Sequence, residues 1–395
     1  EHKKRNSADK AFTRLEGDAF GMDRHNEFSI LEFSRPFRQG LGIASGDFNN
    51  DGWQDIALAT NKGILLYKNT GSKFVLEEID VQEIHDLGVH VVAFVDIDDD
   101  GWQDIYITSY GGKNYFLLND KNGFQNPRLL DVPNTEVILT EAASFVDIDK
   151  DGDLDFVNGN WFIGNGKPNR LIINEKLQFH EKNLKEIIGE TLSILFSDFT
   201  NDNNPDLIVG NDFMEPDIFY AGDGKGGLRK ILKDDGIIPI STHDTMSTDV
   251  ADFNNDLYMD IYMAAAGPGE SVKKDICFEI KNEEERQKCG KFVKIKKILK
   301  NKDIEKCAEL QGGQDKDDCM VMLFLSTLKG NESFCEKIPE TYQKQRFTCH
   351  ELFDFHTDEY DDYKDTIGQK GDGNVLLQGS NEGIFQEVTR EKNVE

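Results

Sequence analysis

The stretch VDIDDDGWQDIYI, residues 95–107, decides the fold. Five aspartates fall within the nine positions from Asp96 to Asp104, and clustered carboxylates repel one another unless a cation lies between them. The residues that follow, Ile105 to Ile107, alternate in the manner of a β-strand. The stretch therefore predicts a cation-binding turn that joins two strands.

The same acidic pattern occurs five times along the chain. The copies, named here acidic loops 1 to 5, are residues 47–55, 96–104, 147–155, 198–206 and 252–260, and they start 49, 51, 51 and 54 residues apart. A nearly fixed period of this length indicates a repeat architecture. The nine positions of each loop are numbered from its first aspartate.

Each acidic loop places oxygen-bearing side chains at positions 1, 3, 5 and 9, which suits a hard cation such as Ca²⁺. The predicted side-chain ligands are Asp47, Asn49, Asp51, Asp55, Asp96, Asp98, Asp100, Asp104, Asp147, Asp149, Asp151, Asp155, Asp198, Thr200, Asp202, Asp206, Asp252, Asn254, Asp256 and Asp260. An EF-hand is excluded because position 12, which needs a carboxylate, is never acidic. The alternative is that the loops are ordinary hairpin turns rich in Asp and Asn.

Position 6 of the loops bears on which of them binds an ion. Glycine occupies it in loops 1 to 3 and favours a sharp turn with positive φ. Asn203 in loop 4 is the next most suitable residue, whereas Leu257 in loop 5 is unsuitable. Loop 5 is therefore the doubtful calcium site.

A second repeated element follows each loop. It reads GILLYKNTGSKF (63–74), NYFLLNDKNGF (114–124), NRLIINEKLQF (169–179), DIFYAGDGKGGL (217–228) and NVLLQGSNEGIF (374–385). Each copy predicts a strand, a turn and the start of another strand, so a unit has about four short strands in roughly 50 residues. The sequence therefore predicts an all-β protein, a β-propeller of four-stranded blades with five clear repeats and six or seven blades.

Position 2 of the loops is always apolar, as Phe48, Ile97, Ile148, Phe199 and Phe253. A constant apolar residue beside an acidic turn predicts packing between neighbouring blades. Trp161 and Phe162 have two interpretations, which are blade packing or the lining of a sugar or peptide site.

The composition limits the partners. A net charge of −29 argues against nucleic acid and anionic membranes, which basic patches bind. No apolar run reaches the roughly 20 residues that a membrane span needs, so membrane insertion is not expected. No nucleophile elbow, phosphate-binding loop or HExxH motif occurs, and the sequence favours a protein that is not an enzyme.

The fifth unit is interrupted by a segment of different composition. We predict an N-terminal segment at 1–40 that completes a blade, propeller repeats at 41–266, an insert and acidic linker at 267–372, and the rest of repeat 5 at 373–395. The insert is rich in Lys, Glu and Gln and is predicted to be α-helical. Its repeated spacing predicts the disulfides Cys277–Cys289, Cys307–Cys319 and Cys335–Cys349, although six cysteines allow fifteen pairings. Buried reduced thiols are the alternative.

The phrases GLGIASGDFNNDGWQDIALAT (40–60) and STDVADFNNDLYMDIYMA (247–264) resemble the FG-GAP/VCBS repeat family, found in integrin α-chain propellers and in secreted proteins of the cartilage acidic protein type. The resemblance implies three to five Ca²⁺ ions, bound through positions 1, 3, 5 and 9 and through the position 7 carbonyl. Those carbonyls belong to Trp53, Trp102, Asp153, Asn204 and Tyr258.

The expected function is that of a calcium-binding extracellular interaction or adhesion module, with structural calcium and an insert that gives partner specificity. The expected partner is another protein or a surface glycan, within a larger surface complex. A secreted, periplasmic or cell-surface location agrees with disulfides and with calcium sites of low affinity. Two alternatives remain: a structural subunit of a cell-surface assembly, and a carbohydrate-binding or polysaccharide-active propeller.

Overall fold

The computed structural model describes residues 16–24, 41–85, 87–121, 123–125, 127–133, 138–161, 168–184, 190–212, 216–242, 245–265, 375–380 and 382–388. The predictions for the helical insert, for its three disulfides and for most of residues 1–40 lie outside these ranges. Within the N-terminal segment, a 3-10 helix spans Gly17–Phe20, and Gly21 lies against the carbonyl of Phe74.

Within these ranges, twenty strands form five four-stranded antiparallel units, named here sheets 1 to 5. Sheet 1 contains β1 (Ile43–Gly46), β2 (Asp55–Thr60), β3 (Gly63–Asn69) and β4 (Phe74–Glu77). Sheet 2 contains β5 (Val89–Val95), β6 (Asp104–Gly112), β7 (Tyr115–Leu118) and β8 (Arg128–Asp131). Sheet 3 contains β9 (Ile138–Val146), β10 (Asp155–Trp161), β11 (Arg170–Glu175) and β12 (Gln178–Asn183). Sheet 4 contains β13 (Thr191–Ser197), β14 (Asp206–Asn211), β15 (Ile218–Gly222) and β16 (Leu228–Lys230). Sheet 5 contains β17 (Thr245–Ala251), β18 (Asp260–Ala265), β19 (Val375–Gln378) and β20 (Gln386–Glu387).

Helical elements are short in the described part of the chain. One α-helix, α1, spans Gln82–His85, and a second 3-10 helix spans Lys233–Asp235. No helix in these ranges combines the length and the apolar character that crossing a membrane requires. The prediction of an all-β fold built from four-stranded repeats is confirmed for the described residues.

The strand register explains where the acidic loops lie. Each loop joins the first strand of a sheet to the second, and its position 9 aspartate is the first residue of the second strand. In sheet 2, for example, Val95 pairs with Asp104. Sheet 5 combines two distant stretches of sequence, because Ile261 of β18 pairs with Leu377 of β19. Sheets 2 and 3 also pair with each other through β6 and β9.

The hydrophobic core lies between consecutive sheets rather than within one sheet. Four apolar clusters fill the junctions from sheet 1 to sheet 5, and each contains the position 2 residue of one loop. Phe48, Ile97, Ile148 and Phe199 are at most 3% exposed, which confirms their predicted packing role. The same prediction is wrong for Phe253, which is 49% exposed because, among the described residues, no sheet follows sheet 5 to cover it.

Candidate metal centres

The five acidic loops share one backbone conformation. Position 4 has φ between 53° and 65° in every loop, and position 6 has φ between 64° and 98°. Glycine, Asn and Asp tolerate this left-handed region best. Leu257 at position 6 of loop 5 adopts it with φ 75° although its side chain is unsuited, so loop 5 keeps the common shape at the cost of backbone strain.

The position 1 aspartate organises the turn. In loop 2, Asp96 Oδ1 accepts the N–H of Asp100 at 3.0 Å and its Oδ2 accepts the N–H of Gly101 at 2.9 Å. The N–H of Trp102 then donates to Asp100 Oδ1 at 2.9 Å. The same three bonds occur in the other four loops. Each of these carboxylate oxygens has further lone pairs, so it can accept a ligand in addition to the backbone N–H.

The position 9 aspartate is the buried anchor of each loop. Asp55, Asp104, Asp155, Asp206 and Asp260 are at most 2% exposed. In loop 2, Asp104 Oδ2 accepts the N–H of Ile97 at 3.0 Å and its Oδ1 accepts the N–H of Asn119 at 2.8 Å. This carboxylate therefore ties the loop to the end of the third strand of its own sheet.

Loop 4 departs from this pattern at its buried carboxylate. The N–H that reaches Asp206 Oδ2 there is that of Thr200, at position 3, with a distance of 2.7 Å. In loop 2 the corresponding donor is the position 2 residue.

Burial makes these anchor carboxylates electrostatically costly. It raises the pKa of Asp104 from 3.8 to about 7, with a further increase from Asp98 and Asp96, although two backbone N–H groups oppose the rise. Burial likewise raises the pKa of Asp55, Asp155 and Asp206 to about 6 and raises that of Asp260. A bound cation would supply the positive charge that stabilises the anionic forms of these carboxylates.

Loops 2 and 3 gather carboxylates closely enough for one ion. Ligand atoms of Asp96, Asp98 and Asp104 lie within 4.8 Å of one another. Ligand atoms of Asp147, Asp149 and Asp151 do so in loop 3. Burial and neighbouring aspartates raise the pKa of Asp98 and Asp149.

The position 3 side chains provide a test of the fit. Asp149 Oδ1 and both amide atoms of Asn254 are buried and have no hydrogen-bond partner, which is costly unless a ligand satisfies them. The unsatisfied oxygens among these atoms, Asp149 Oδ1 and Asn254 Oδ1, fit a hard divalent cation. In loop 1, by contrast, the Asn49 amide donates to Asp55 Oδ2 at 3.2 Å and so occupies part of the loop itself.

Lysines compete for two of the predicted position 5 ligands. Lys68 Nζ lies 3.5 Å from Asp51 Oδ2, and Lys121 Nζ lies 3.2 Å from Asp100 Oδ2. Both pairs are partly exposed and contribute little to stability.

Of the predicted side-chain ligands, the structure brings positions 1, 3 and 9 together in loop 2 and positions 1, 3 and 5 together in loop 3.

The position 7 residues are placed by their backbone. Their N–H groups donate to the position 5 carboxylate, with Trp53, Trp102, Asp153, Asn204 and Tyr258 in this role. The predicted ligand atoms of these residues are their carbonyl oxygens, and this prediction stays open.

Sequence reasoning missed two features of the site. One is the positive φ at position 4. The sequence could have indicated it in four of the loops, because Asn and Asp, which tolerate positive φ, occupy this position as Asn50, Asp99, Asn201 and Asn255. The other is the asparagine that ends the third strand, visible in the repeats as the N of YKNTG, LLND and IINE. Asn119 and its counterparts Asn69 and Asn174 each donate a backbone N–H to the buried position 9 carboxylate.

Trp161 belongs to the core rather than to a binding surface. It is 2% exposed and lies in β10, so the packing interpretation is correct for this residue. Phe162 lies outside the described ranges.

The chain was compared with known proteins. The model of the FG-GAP-like repeat matches residues 47–107, 96–157 and 198–263. A search of the curated proteins found no match.

Similar solved structures include the biofilm matrix protein Bap1 of V. cholerae, with 15% identity, TM-score 0.38 and coverage of 58% of this chain and 36% of that one. The extracellular domain of BT4673 from B. thetaiotaomicron is 14% identical, with TM-score 0.36 and coverage of 56% and 25%. An Agrocybe aegerita lectin that recognises non-reducing terminal N-acetylglucosamine is 16% identical, with TM-score 0.39 and coverage of 57% and 63%.

In each case the chain spans less than two thirds of the similar structure. The family match coincides with acidic loops 1 to 5, since each matched stretch starts or ends around one of these loops. Across residues 47–157 and 198–263, the chain therefore contains three stretches that match the FG-GAP-like repeat.

Proposed function

We propose that this chain is a calcium-binding extracellular interaction module of the β-propeller type, in which Ca²⁺ stabilises the acidic loops and the chemistry is binding rather than catalysis. The observation that carries the proposal is the set of five buried position 9 carboxylates, each beside further acidic side chains. A net charge of −29 makes compaction costly without counter-ions.

The loops differ in what they offer a cation. Loops 2 and 3 have the closest carboxylate groups, so they bind Ca²⁺ most tightly. Loops 1 and 4 replace one carboxylate with Asn49 or Thr200, which lowers the charge and the affinity. Loop 5 combines Asn254 with the strained Leu257 and fills last. Three to five ions are therefore bound, depending on the calcium concentration.

Calcium in this role acts on stability. An ion that binds only the folded chain stabilises it by about 2.7 kcal/mol at a concentration a hundredfold above its dissociation constant. The five loops all lie between the first and second strands of their sheets, so bound ions fix five hairpins at once. Sites of low affinity fill at the high calcium concentrations outside cells, which supports a secreted or cell-surface location.

The partner, another protein or a surface glycan, is proposed to bind the exposed surfaces and the insert. Insertions on a rigid scaffold commonly carry specificity. Since Met263 of β18 pairs with Val375 of β19, a short linker can join these strands in place of residues 267–372. The variant with this linker should keep its calcium response and lose its partner in a capture experiment.

Calcium dependence is tested by thermal unfolding in calcium and in EDTA. The expected result is a large fall in the melting temperature on chelation. Asp149→Asn in loop 3 should reduce the calcium-induced shift, because it removes a carboxylate whose Oδ1 has no other partner. Asp131→Asn is the matched control, since Asp131 is exposed on β8 and pairs with Lys113 at 2.6 Å. Equal melting temperatures with and without calcium would contradict the proposal.

A further inference from the structure

A side chain of loop 1 reaches into loop 2. Asn50, at position 4 of loop 1, donates an amide N–H to the carbonyl of Gly101, at position 6 of loop 2, over 3.2 Å. The N–H of the same peptide group, on Trp102, donates to Asp100 Oδ1 at 2.9 Å. One peptide group of loop 2 is therefore held at its oxygen by loop 1 and at its nitrogen by the position 5 carboxylate of its own loop.

A buried amide joins the same two loops one residue after Trp102. Asn119 Nδ2 donates to the carbonyl of Phe48 in loop 1 at 2.7 Å and to the carbonyl of Gln103 in loop 2 at 3.0 Å. The backbone N–H of Asn119 donates to the buried position 9 carboxylate of Asp104 at 2.8 Å. Hydrogen bonds that lead to loop 1 thus flank Trp102, whose carbonyl is the predicted position 7 ligand of loop 2.

The contact from position 4 recurs between loops 3 and 4. Lys150, at position 4 of loop 3, donates through Nζ to the carbonyl of Asn203, at position 6 of loop 4, and to Asn204 Oδ1, both at 2.9 Å. Two different side chains therefore reach the same carbonyl of the next loop from the same place in the repeat. Asn201, at position 4 of loop 4, is exposed, and within the described ranges its side chain makes no such bond.

The place of Asn50 in loop 1 connects this bond to the predicted ligands of both loops. Asn50 lies between Asn49 and Asp51, which are the position 3 and position 5 ligands. Binding at loop 1 therefore fixes the backbone that carries the Asn50 amide. The fixed amide holds the peptide group between Gly101 and Trp102, so loop 2 loses less conformational freedom when it binds in turn.

We propose that loops 1 and 2 bind calcium as a coupled pair and that Asn50 is the residue that couples them. This inference rests on the proposed function, because it concerns how the acidic loops fill. Coupling is reciprocal, so occupation of either loop tightens binding at the other by the same factor. The expected factor is about fivefold, which is the size that one hydrogen bond supports. Loop 1, which has Asn49 in place of a carboxylate, then fills at a lower calcium concentration than its own ligands allow.

Tryptophan fluorescence can follow the two loops separately. The chain has three tryptophans, of which Trp53 lies at position 7 of loop 1, Trp102 lies at position 7 of loop 2, and Trp161 is buried in the core. In the Trp53→Phe variant, Trp102 reports calcium binding at loop 2. In the Trp102→Phe variant, Trp53 reports binding at loop 1. Calorimetry of the same variants provides a second measurement of each affinity.

The test compares calcium binding at loop 2 with loop 1 intact and with loop 1 disabled by Asp47→Asn and Asp51→Asn together, in about 0.15 M salt. Both measurements are repeated with Asn50→Gly, which removes the amide and suits the positive φ of 53° at this position. The two pairs differ by the same charges, so electrostatic effects between the loops cancel in the comparison. Asn201→Gly is the matched control, since it makes the same change at position 4 of another loop.

Disabling loop 1 should weaken calcium binding at loop 2 about fivefold, and by less than about twofold in the Asn50→Gly background. The Asn201→Gly control should retain the full effect. The reverse measurement, with Trp53 as reporter and loop 2 disabled by Asp98→Asn and Asp100→Asn, should give the same factor. If disabling loop 1 has the same effect with and without Asn50, the inference is overturned, while calcium binding itself would still support the proposed function. If calorimetry detects no calcium binding to the chain, the proposed function and this inference fail together.

Discussion

Replacing Asp217 with Asn should change the pH dependence of stability in a defined way. Asp217 lies just before β15 and is 2% exposed. Its Oδ1 accepts the N–H of Asn211 at 2.9 Å, and its Oδ2 accepts the hydroxyls of Ser241, Thr242 and Thr245. Burial raises its pKa from 3.8 to about 6, although these four hydrogen bonds oppose the rise.

The equivalent places in sheets 2 and 3 contain a neutral amide. Asn169 Oδ1 accepts the N–H of Asn160 at 2.8 Å, and its Nδ2 donates to Thr191 Oγ1 at 2.9 Å. Asn114 makes the same pair of bonds, with Ser109 and Thr140. The fold therefore already accepts Asn at this junction.

The magnitude follows from proton linkage. Because the pKa of Asp217 is higher in the folded chain than in the unfolded chain, the folded state binds the proton more tightly. The stability contributed by this proton is present below pH 3.8 and is lost as the pH rises to about 6. The loss is about 3 kcal/mol at about 1.4 kcal/mol for each tenfold change in proton affinity. The Asp217→Asn variant has no carboxyl group at this site, so it does not show this pH-dependent loss of stability.

The assay is urea unfolding of both proteins from pH 4 to pH 8 in saturating calcium, which holds the acidic loops in one state. The unfolding free energy of the variant minus that of the wild type should rise by about 2.4 kcal/mol between pH 4 and pH 7, because part of the total is already lost at pH 4. The control Asn169→Asp places a carboxylate in the equivalent site and should show the opposite slope. A difference that is independent of pH would refute the reasoning, whatever its absolute size.

Three other outcomes are expected. In EDTA the chain should lose stability as the pH rises from about 4 to 7, because burial raises the pKa of the position 9 aspartates and the folded chain then loses their protons. Melting curves recorded with calcium should not show this loss. Leu257→Gly should stabilise the chain by up to about 1 kcal/mol and tighten calcium binding at loop 5, because it relieves strain at positive φ. Gly152→Leu, at the same position of loop 3, should destabilise the chain and weaken calcium binding. If calorimetry shows the same change in stability for both variants, strain at position 6 is contradicted. Asn119→Ala should cost about 3 kcal/mol in urea unfolding and Asn69→Ala about 1 kcal/mol, because the Asn119 amide donates both to Gln103 of its own loop and to Phe48 of loop 1, whereas the Asn69 amide donates to Gln54 of its own loop. Equal costs would contradict a contribution from the bond between sheets.

Local sequence determined the repeated unit because its signals act over a few residues. The acidic loop, its flanking alternation and its period predicted four strands per unit, and five such sheets are present. The positive φ at Gly52, Gly101 and Gly152 follows equally from residue type. The loops also predicted the FG-GAP-like repeats, since the matched stretches contain all five loops.

Contacts between sheets could not be obtained from these local patterns. Phe199 and Phe253 have the same place in the repeat and each follows the position 1 aspartate of its loop, yet one is 2% and the other 49% exposed. Likewise Asn69 and Asn119 are equivalent in sequence, but only Asn119 reaches the carbonyl of a preceding loop.

The sequence by itself therefore determined the acidic turn, the strands beside it and the residues that can hold a cation. Only the tertiary structure decided that the position 9 carboxylates are buried, that lysines reach Asp51 and Asp100, and that Phe253 is half exposed. The physical reason is range: turn and strand preferences depend on adjacent residues, whereas burial and charge pairing depend on which distant segment packs against them.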